Sequence, residues 1–515
     1  MKKLLSLVTI LISFQSIHAQ EPADALRYAQ SGNGGTARSR AIGGAIVGLG
    51  GDISTATVNP AGLALYKTNE FVFTPEFSFG KTSVDYLTNA TKQNNISSQF
   101  STLGMIIARP GSMDGKWRNF TFGFGMNKPI SYNNTTHYKG NNLQSSFSEK
   151  YLEELINNGV TDPNAAAQNF PYGSSLAFNT YLIDTVSGPG NTVLGYKSLA
   201  TPQTGVTQDM KSVSKGFIQE TYFAGSANLE DKLYLGASIV ISKLKFERTN
   251  TFREADATQN KLNNFNYFEA EEYLLSDGMG LGVKLGLIFK PIERLRIGAA
   301  YHSPTLYNMT DHYSTKITTD MEGYTSNKVL TQSSLDLNSN ELGQFQYNLT
   351  NPSKLMFGAS FVLHEVEDVT KQRGFISADI EFLDYSNSKF SAYTGSNSTA
   401  SSASYLNNIN TAINEQFKSA MNIRVGGELK FNTIMGRLGF NYMGSPYAVS
   451  DLKGNQMNIS GGLGYRDKGV FIDLTYVQRI SKGINFPYKL DNGFYEPGYV
   501  KNSYGNVSLT VGFKF

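Results

Sequence analysis

The spacing of its alternating segments constrains this chain more than any other property. Apolar and polar side chains alternate over residues 71–80, 99–109, 119–127, 216–228, 231–248, 277–290, 293–303, 353–363, 373–385, 421–430, 435–444, 456–466, 469–480 and 503–515. The gaps between these segments alternate too, from about two to nine residues and then from about eleven to nearly ninety, with no overlap between the classes. A soluble β-protein has no reason to sort its turns this way. A barrel threaded through an outer membrane does, because its tight turns lie on the periplasmic side and its extended loops outside. The expected fold is therefore all-β: a transmembrane antiparallel β-barrel of fourteen strands over residues 71–515. A soluble β-sandwich with long insertions is the competing fold.

The strand faces carry the same message. In 231–248, Leu233, Leu235, Ala237, Ile239 and Ile241 share one side, and Gly236, Ser238 and Ser242 the other. In 421–430, Ile423, Val425 and Leu429 oppose Arg424, Gly426, Glu428 and Lys430. A Lys or Arg facing mid-bilayer lipid costs roughly 2–4 kcal/mol, so the charged side is expected to line the lumen. An even strand number puts both chain ends on one side, and export makes that side periplasmic. Turns 109–118 (with the lone Trp117), Glu230-Asp231, Pro291-Ile292, 364–371, Asn432-Thr433 and Asp467-Lys468 then face the periplasm. Loops 81–98, 128–215, 249–276, 304–352, 386–420, 445–455 and 481–502 face outward.

Composition agrees where it speaks. Residues 1–20 read as a signal peptide, with Lys2 and Lys3 ahead of an apolar stretch of about fourteen residues, too short for a spanning helix of roughly 20. Mean hydropathy is −0.28, which suggests a soluble protein, but in a barrel only alternate strand residues meet lipid. The 29 Tyr and 33 Phe suit a lipid-contacting sheet, the absence of Cys excludes disulfides and thiolate chemistry, and a net charge of +3 makes no case for nucleic acid.

Two outer loops show helical periodicity: Phe147, Tyr151, Leu152, Leu155 and Ile156, and then Leu406, Ile409, Ile413 and Phe417. Either these faces pack the loops together, or they form an apolar landing surface above the barrel mouth. Catalysis finds little support. His137, His302, His312 and His364 are scattered without metal-ligand spacing, and the acidic group Glu269, Glu271 and Glu272 either binds divalent ions or, as the simpler reading, is a solvated patch. Neither an enzyme nor a bound metal or cofactor is expected.

Residues 21–70 do not read as strand. Gly34-Gly35, Gly43-Gly44 and Gly48, Gly50 and Gly51 punctuate a small-residue stretch that closes on Asn59-Pro60-Ala61-Gly62-Leu63. Pro60 lacks an amide donor and biases Asn59 away from helix. About fifty residues upstream of the first strand must go somewhere, and a wide lumen would house them as a plug. A free periplasmic tail is the alternative, which Ile42, Ile46, Val47, Leu49, Leu63 and Leu65 argue against.

The run Gly43-Gly44-Ala45 … Gly51-Asp52-Ile53-Ser54-Thr55 … Asn59-Pro60-Ala61-Gly62-Leu63 resembles the hatch signature of the FadL/TodX family of outer-membrane transporters for long-chain fatty acids and other hydrophobic compounds. The resemblance implies a fourteen-stranded barrel with an N-terminal hatch in its lumen, the hatch residues being Gly51, Asp52, Ser54, Asn59, Pro60, Ala61, Gly62 and Leu63. It implies passive uptake, with hatch movement and a sideways exit beside a kinked third strand, for which Gly123 and Gly125 are the expected kink. Phe515 matches the terminal aromatic read by the barrel assembly machinery; outer-membrane lipid and lipopolysaccharide would surround a monomeric barrel. Among lumenal charges, Arg296, Arg424 and Arg437 face Asp379, Glu381, Glu428 and Asp473. They either brace wall and plug, or one arginine holds a substrate carboxylate. A general diffusion porin and a structural or adhesive barrel remain the alternative functions.

Overall fold

The computed structural model describes residues 21–515 except 33, 112–114, 259, 327–328, 364–372, 394–399 and 451. The expected leader and the turn at 364–371, with His364, lie outside the described residues.

Fourteen strands form one closed antiparallel ring: β1 (Glu70–Tyr86), β2 (Asn89–Pro110), β3 (Trp117–Ser131), β4 (Val206–Leu229), β5 (Leu233–Asp256), β6 (Tyr267–Ile292), β7 (Leu295–His302), β8 (Lys354–Leu363), β9 (Gly374–Asp384), β10 (Ser419–Phe431), β11 (Ile434–Met443), β12 (Gln456–Asp467), β13 (Val470–Asn485) and β14 (Gly498–Lys514). Each pairs with the next, and β14 pairs with β1, from Glu70↔Lys514 up to Asp85↔Tyr499. Below that seam Asn69 and Phe515 exchange backbone hydrogen bonds at 3.2 Å. Closure leaves the ring no open edge, the condition for a sheet to span hydrocarbon. The outward positions are apolar: Phe71, Phe73, Phe77 and Phe79 on β1, Phe120, Phe122 and Phe124 on β3, and Leu281, Val283, Leu285, Leu287 and Phe289 on β6 are all exposed. Among the described residues no helix is long and apolar enough to cross a membrane.

All fourteen expected segments are strands, and several run further than expected. Instead of a loop at 81–98, β1 and β2 continue to a tight turn at Leu87-Thr88, both at positive φ. Likewise β5 reaches Asp256 and β6 begins at Tyr267, inside the expected loop 249–276. The reason is physical: above the hydrocarbon the outward side chains meet water, so apolar alternation stops while the hydrogen-bond ladder continues. The expected loop 304–352 contains a further antiparallel pair, Thr305–Asp320 with Gly343–Asn351. Pro304 and Pro352 separate that pair from β7 and β8. Two turns shift. Pro291 lies within β6 at a register irregularity, which moves the turn to Glu293-Arg294. The last hairpin turns at Lys468-Gly469, φ 46° and 83°, rather than at Asp467-Lys468. Trp117 opens β3 and stacks on Phe120 at 5.9 Å between centroids.

The outer loops form a packed layer. A helix over Glu149–Asn157 and the segment before it bury Phe147, Tyr151 and Leu155 against Phe252, Phe268 and Tyr488, with Leu152 partly buried. Only Ile156 of the expected apolar face is exposed, at 68%. Leu406, Ile409, Ile413 and Phe417, from the helix Ala400–Gln416 and the residue just after it, are all buried against Tyr347, Phe390 and residues of the N-terminal segment. These faces therefore pack loop against loop.

Glu254 lies at the heart of this outer layer, fully buried on the extracellular extension of β5. Its carboxyl accepts from Gln208 Nε2 (2.8 Å), the Phe147 amide (3.3 Å) and the Ser146 hydroxyl. Burial pushes it from 4.5 up to about 7, against the pull of those donors and with the help of Glu149. A raised folded-state value means that its contribution to stability is fully present below about 4.5 and is lost as pH rises through about 7. Amides of residues 145–155 should therefore exchange more slowly at about pH 5.5 than at about pH 8.5, after correction for intrinsic rates. Glu254→Gln should abolish the difference. A pH-dependence that survives the substitution would place its origin elsewhere.

Candidate functional site: an occupied bore and a break in its wall

The N-terminal segment lies inside the ring and is bonded to it on all sides. Three short helices, α1 (Pro22–Ala29), α2 (Ala37–Ala41) and α3 (Thr55–Val58), lead into a 3₁₀ turn at Pro60–Leu65. Wall side chains donate to its carbonyls: Ser101 to Gly35 (3.0 Å), Thr475 to Ala37 (2.6 Å), Ser460 to Ala41 (2.9 Å), Ser360 to Gly48 (2.9 Å) and Lys284 to Thr57 (2.9 Å). Asp379 accepts from the Val47 amide (2.9 Å). Arg40 and Glu76 of β1 form a buried two-pronged pair at 2.5 and 2.9 Å.

The expected hatch residues form one folded unit. Asp52 accepts from the Thr36 hydroxyl (2.8 Å) and the Ser54 amide (3.0 Å), while the Ser54 hydroxyl accepts from the Thr36 amide (2.9 Å). The Gly51 amide donates to Gly62 O at 3.0 Å. A side chain at Gly62 would press on Gly50 and Thr55. Asn59 caps the 3₁₀ turn through the Ala61 amide (3.2 Å), and its Nδ2 donates to Val47 O (2.6 Å) and to Leu287 O of β6 (3.1 Å). Leu63 is buried with Ile53, Ile106, Tyr222 and Val240.

Wall glycines mark where this backbone lands. A Cβ at Gly236 would overlap Pro60, one at Gly286 the Asn59 side chain, and ones at Gly426 and Gly439 the backbone of Ile42 and Gly43. Gly236 pairs with Gly286, and Gly426 with Gly439, so bare patches two strands wide face the segment. Sequence reasoning missed this footprint. The signal was there as glycines on lumen-facing positions of neighbouring strands, but registering them against the segment needs coordinates.

The three arginines proposed to meet a carboxylate already have protein partners. Arg424 pairs with Glu381 (2.6 Å), and Arg437 with Glu428 and Asp473 (both 2.6 Å). Arg296 donates to Leu49 O (3.0 Å). Arg38 links the segment to this network, reaching Glu428 (3.3 Å) and Gly51 O (2.9 Å). These groups brace wall and plug.

Arg479 of β13 differs. It is lumenal, lies against the Tyr504 ring (5.3 Å) and forms no ion pair with any described residue. It lines a cavity of about 120 Å³ with Gln30, Gly32, Arg40, Glu76 and Lys128. A second cavity of about 130 Å³ adjoins it, lined by Lys284, His302, Lys354 and Glu381. Both share Gln30, Ser31 and Gly32, which stand as a partition between them.

The first cavity backs onto a break in the wall. Pairing of β2 with β3 ends at Thr102↔Asn127, and the β3–β4 register slips between Asn127 and Ile130. Gly123 and Gly125, the expected kink, stand in unbroken register opposite Ile106 and Gly104. The irregularity falls instead at Lys128-Pro129, because proline cannot donate to a ladder. Higher up, the Asn95 side chain bridges to Thr135 N (2.7 Å) and O (3.1 Å). A window remains between these two closures. Gly32 and Gly34 abut Pro129 from inside, and Lys128 Nζ spans the outside, 3.9 Å from the Phe100 ring and 4.6 Å from the Phe217 ring.

Gly426→Leu should push the segment off its footprint. The outcome is read by limited trypsin digestion of the folded barrel in detergent: cuts after Arg38 and Arg40 should appear in the variant and be absent from the parent, with an overpacking cost of about 1–3 kcal/mol. Equal protection in both would contradict the backbone docking described above.

No family model and no curated protein matches this sequence. Solved structures do. A FadL homologue from Pseudomonas aeruginosa superposes with TM-score 0.56 at 14% identity, over 94% of this chain and 100% of that one. The toluene transporters TodX of P. putida (TM-score 0.51, 15% identity) and TbuX of Ralstonia pickettii (0.51, 16%) each align over 94% of this chain and 99% of their own. The closed ring of fourteen strands, nearly the whole of which aligns with these barrels, gives this chain the FadL/TodX fold.

Proposed function

We propose that this protein is a passive outer-membrane transporter that takes up hydrophobic molecules bearing one carboxylate, long-chain fatty acids by preference. Arg479 carries the reading. It is a lumenal cation that forms no ion pair with any described residue, the carboxylate that shares its cavity, Glu76, is paired with Arg40, and it faces a cavity behind the wall break. The similar structures, a FadL homologue and two toluene transporters, support hydrophobic cargo. A neutral hydrocarbon would leave Arg479 unused. The apolar tail gains about 0.8 kcal/mol for each CH₂ kept out of water.

Passage requires movement of the N-terminal segment. Each cavity is far below the roughly 300–1,000 Å³ of sites that hold drug-sized ligands. Displacing Gln30, Ser31 and Gly32 would merge the two cavities and unblock the window beside Pro129. Cargo would then leave sideways past Lys128 into the outer leaflet. A general diffusion porin suits these observations less well, because the bore is filled. An adhesive barrel would leave the lumenal cavities without a role.

Uptake of labelled oleate and of labelled toluene by expressing cells tests this reading. Arg479→Gln removes a charge-assisted contact of about 1.5–3 kcal/mol, so oleate uptake should fall about tenfold or more while toluene uptake holds. Asn59→Ala and Pro60→Ala should impair both without lowering barrel abundance. Unchanged oleate uptake in Arg479→Gln would remove the carboxylate site. Unchanged uptake in both hatch variants would remove the hatch mechanism.

A further inference from the structure

The outer rim of the wall is not uniform in charge. On β5, Ile239, Ile241, Lys243 and Lys245 follow one another on the outward face, the apolar pair below and the lysines above. On β4, Phe223, Gln219, Phe217 and Lys215 share that face. Across the strands Phe217 stands opposite Lys245, and Gln219 opposite Lys243. Lys128 approaches the Phe217 ring from the β3 side. Four lysines thus gather on three adjacent strands, with directly opposed positions about 5 Å apart. The acidic groups on the same surface are Glu247, opposite Lys215, and Asp277, opposite Lys245. None of the four lysines forms an ion pair with a described residue, and the cluster keeps an excess of positive charge. The outward rim of β10, β11 and β12 offers Met421, Tyr442 and Met457 in place of cations.

Below the lysines the same sector is apolar, with Phe223 (58%), Ile239 (54%), Met279 (58%) and Leu281 (55%) all facing out. A molecule seated here meets cations at its head and a flat apolar wall along its tails. We propose that this sector binds a multiply phosphorylated glycolipid of the outer leaflet, its phosphates on Lys215, Lys243 and Lys245 and its acyl chains against Phe223, Ile239 and Met279. Charge complementarity and the step from apolar to cationic side chains select this occupant. Lysine serves it as a point charge on phosphate, and a position roughly ten strand residues above the turn between β4 and β5, the length that crosses a hydrocarbon core, places those charges at headgroup level. The proposal rests on the outer-membrane placement of the barrel and not on its cargo.

The test uses the intact barrel in mild detergent, titrated with diphosphorylated lipid A and followed by native mass spectrometry. The variant Lys215→Gln/Lys243→Gln/Lys245→Gln should bind about tenfold more weakly or worse, whereas Lys482→Gln, in another sector, should match the parent. Removing both phosphates from the lipid should cost the parent as much as the triple substitution does. The single changes Lys243→Gln and Lys245→Gln should each give part of the loss, which covers a triple variant that fails to fold. Oleate uptake should be unchanged in all of them, separating this site from the transport reading. Equal binding by parent and single variants, undiminished binding of dephosphorylated lipid, or equal binding of phosphatidylglycerol would overturn the proposal.

Discussion

A backbone amide or carbonyl left unpaired in hydrocarbon costs several kcal/mol, and the architecture of this protein follows from avoiding that cost. It forces the sheet to close through β1 and β14. The cost of a charge facing lipid, roughly 2–4 kcal/mol for Lys or Arg at mid-bilayer, puts the apolar side chains outside and the charges inside. Closure then creates a bore, and a bore lined with Arg424, Arg437, Glu381, Glu428 and Asp473 needs internal partners for its buried charges. The N-terminal segment joins them, with Arg38 and Arg40 supplying cations to Glu428 and Glu76.

The segment is held through its backbone as well as its side chains. Wall hydroxyls and one lysine donate to its carbonyls, and glycines on the wall let it come close enough to accept. Each of these contacts is a single hydrogen bond of about 0.5–1.5 kcal/mol net, and the Arg40–Glu76 pair and the apolar clusters around Leu63 and Ile42 add to them. The wall is weakest where the segment touches it at Gly32 and Gly34. There the β2–β3 ladder stops, and Pro129, Lys128 and the two flanking phenylalanines take its place. One displacement of the segment would therefore change both the bore and the window.

Much of this was legible in the residues. Alternation fixes every barrel strand because lipid outside and polar lumen inside impose a period of two. Asn59-Pro60-Ala61-Gly62-Leu63 reads as a compact turn because its chemistry is local: a cap from Asn59 and close packing at Gly62. Strand ends were not legible, because Lys81, Ser83 and Asp85 face water on one side and no longer mark the sheet. Glycine tolerates distortion, which makes Gly123 and Gly125 the expected kink, yet Pro129 breaks the ladder by lacking a donor. The arginine facing a cavity could not be told from the braced ones, because pairing depends on cross-strand neighbours far apart in sequence. Glu428 and Arg437 are nine residues apart, but Arg437 and Asp473 are thirty-six.

The central claim is that the residues from Glu21 up to β1 close the bore. Single-channel conductance in planar bilayers addresses it most directly, comparing the intact barrel with a form lacking residues 22–65. The intact chain should be silent or open only briefly, and the shortened one should conduct steadily. Steady conductance by the intact chain, or an equally silent shortened barrel, would contradict it.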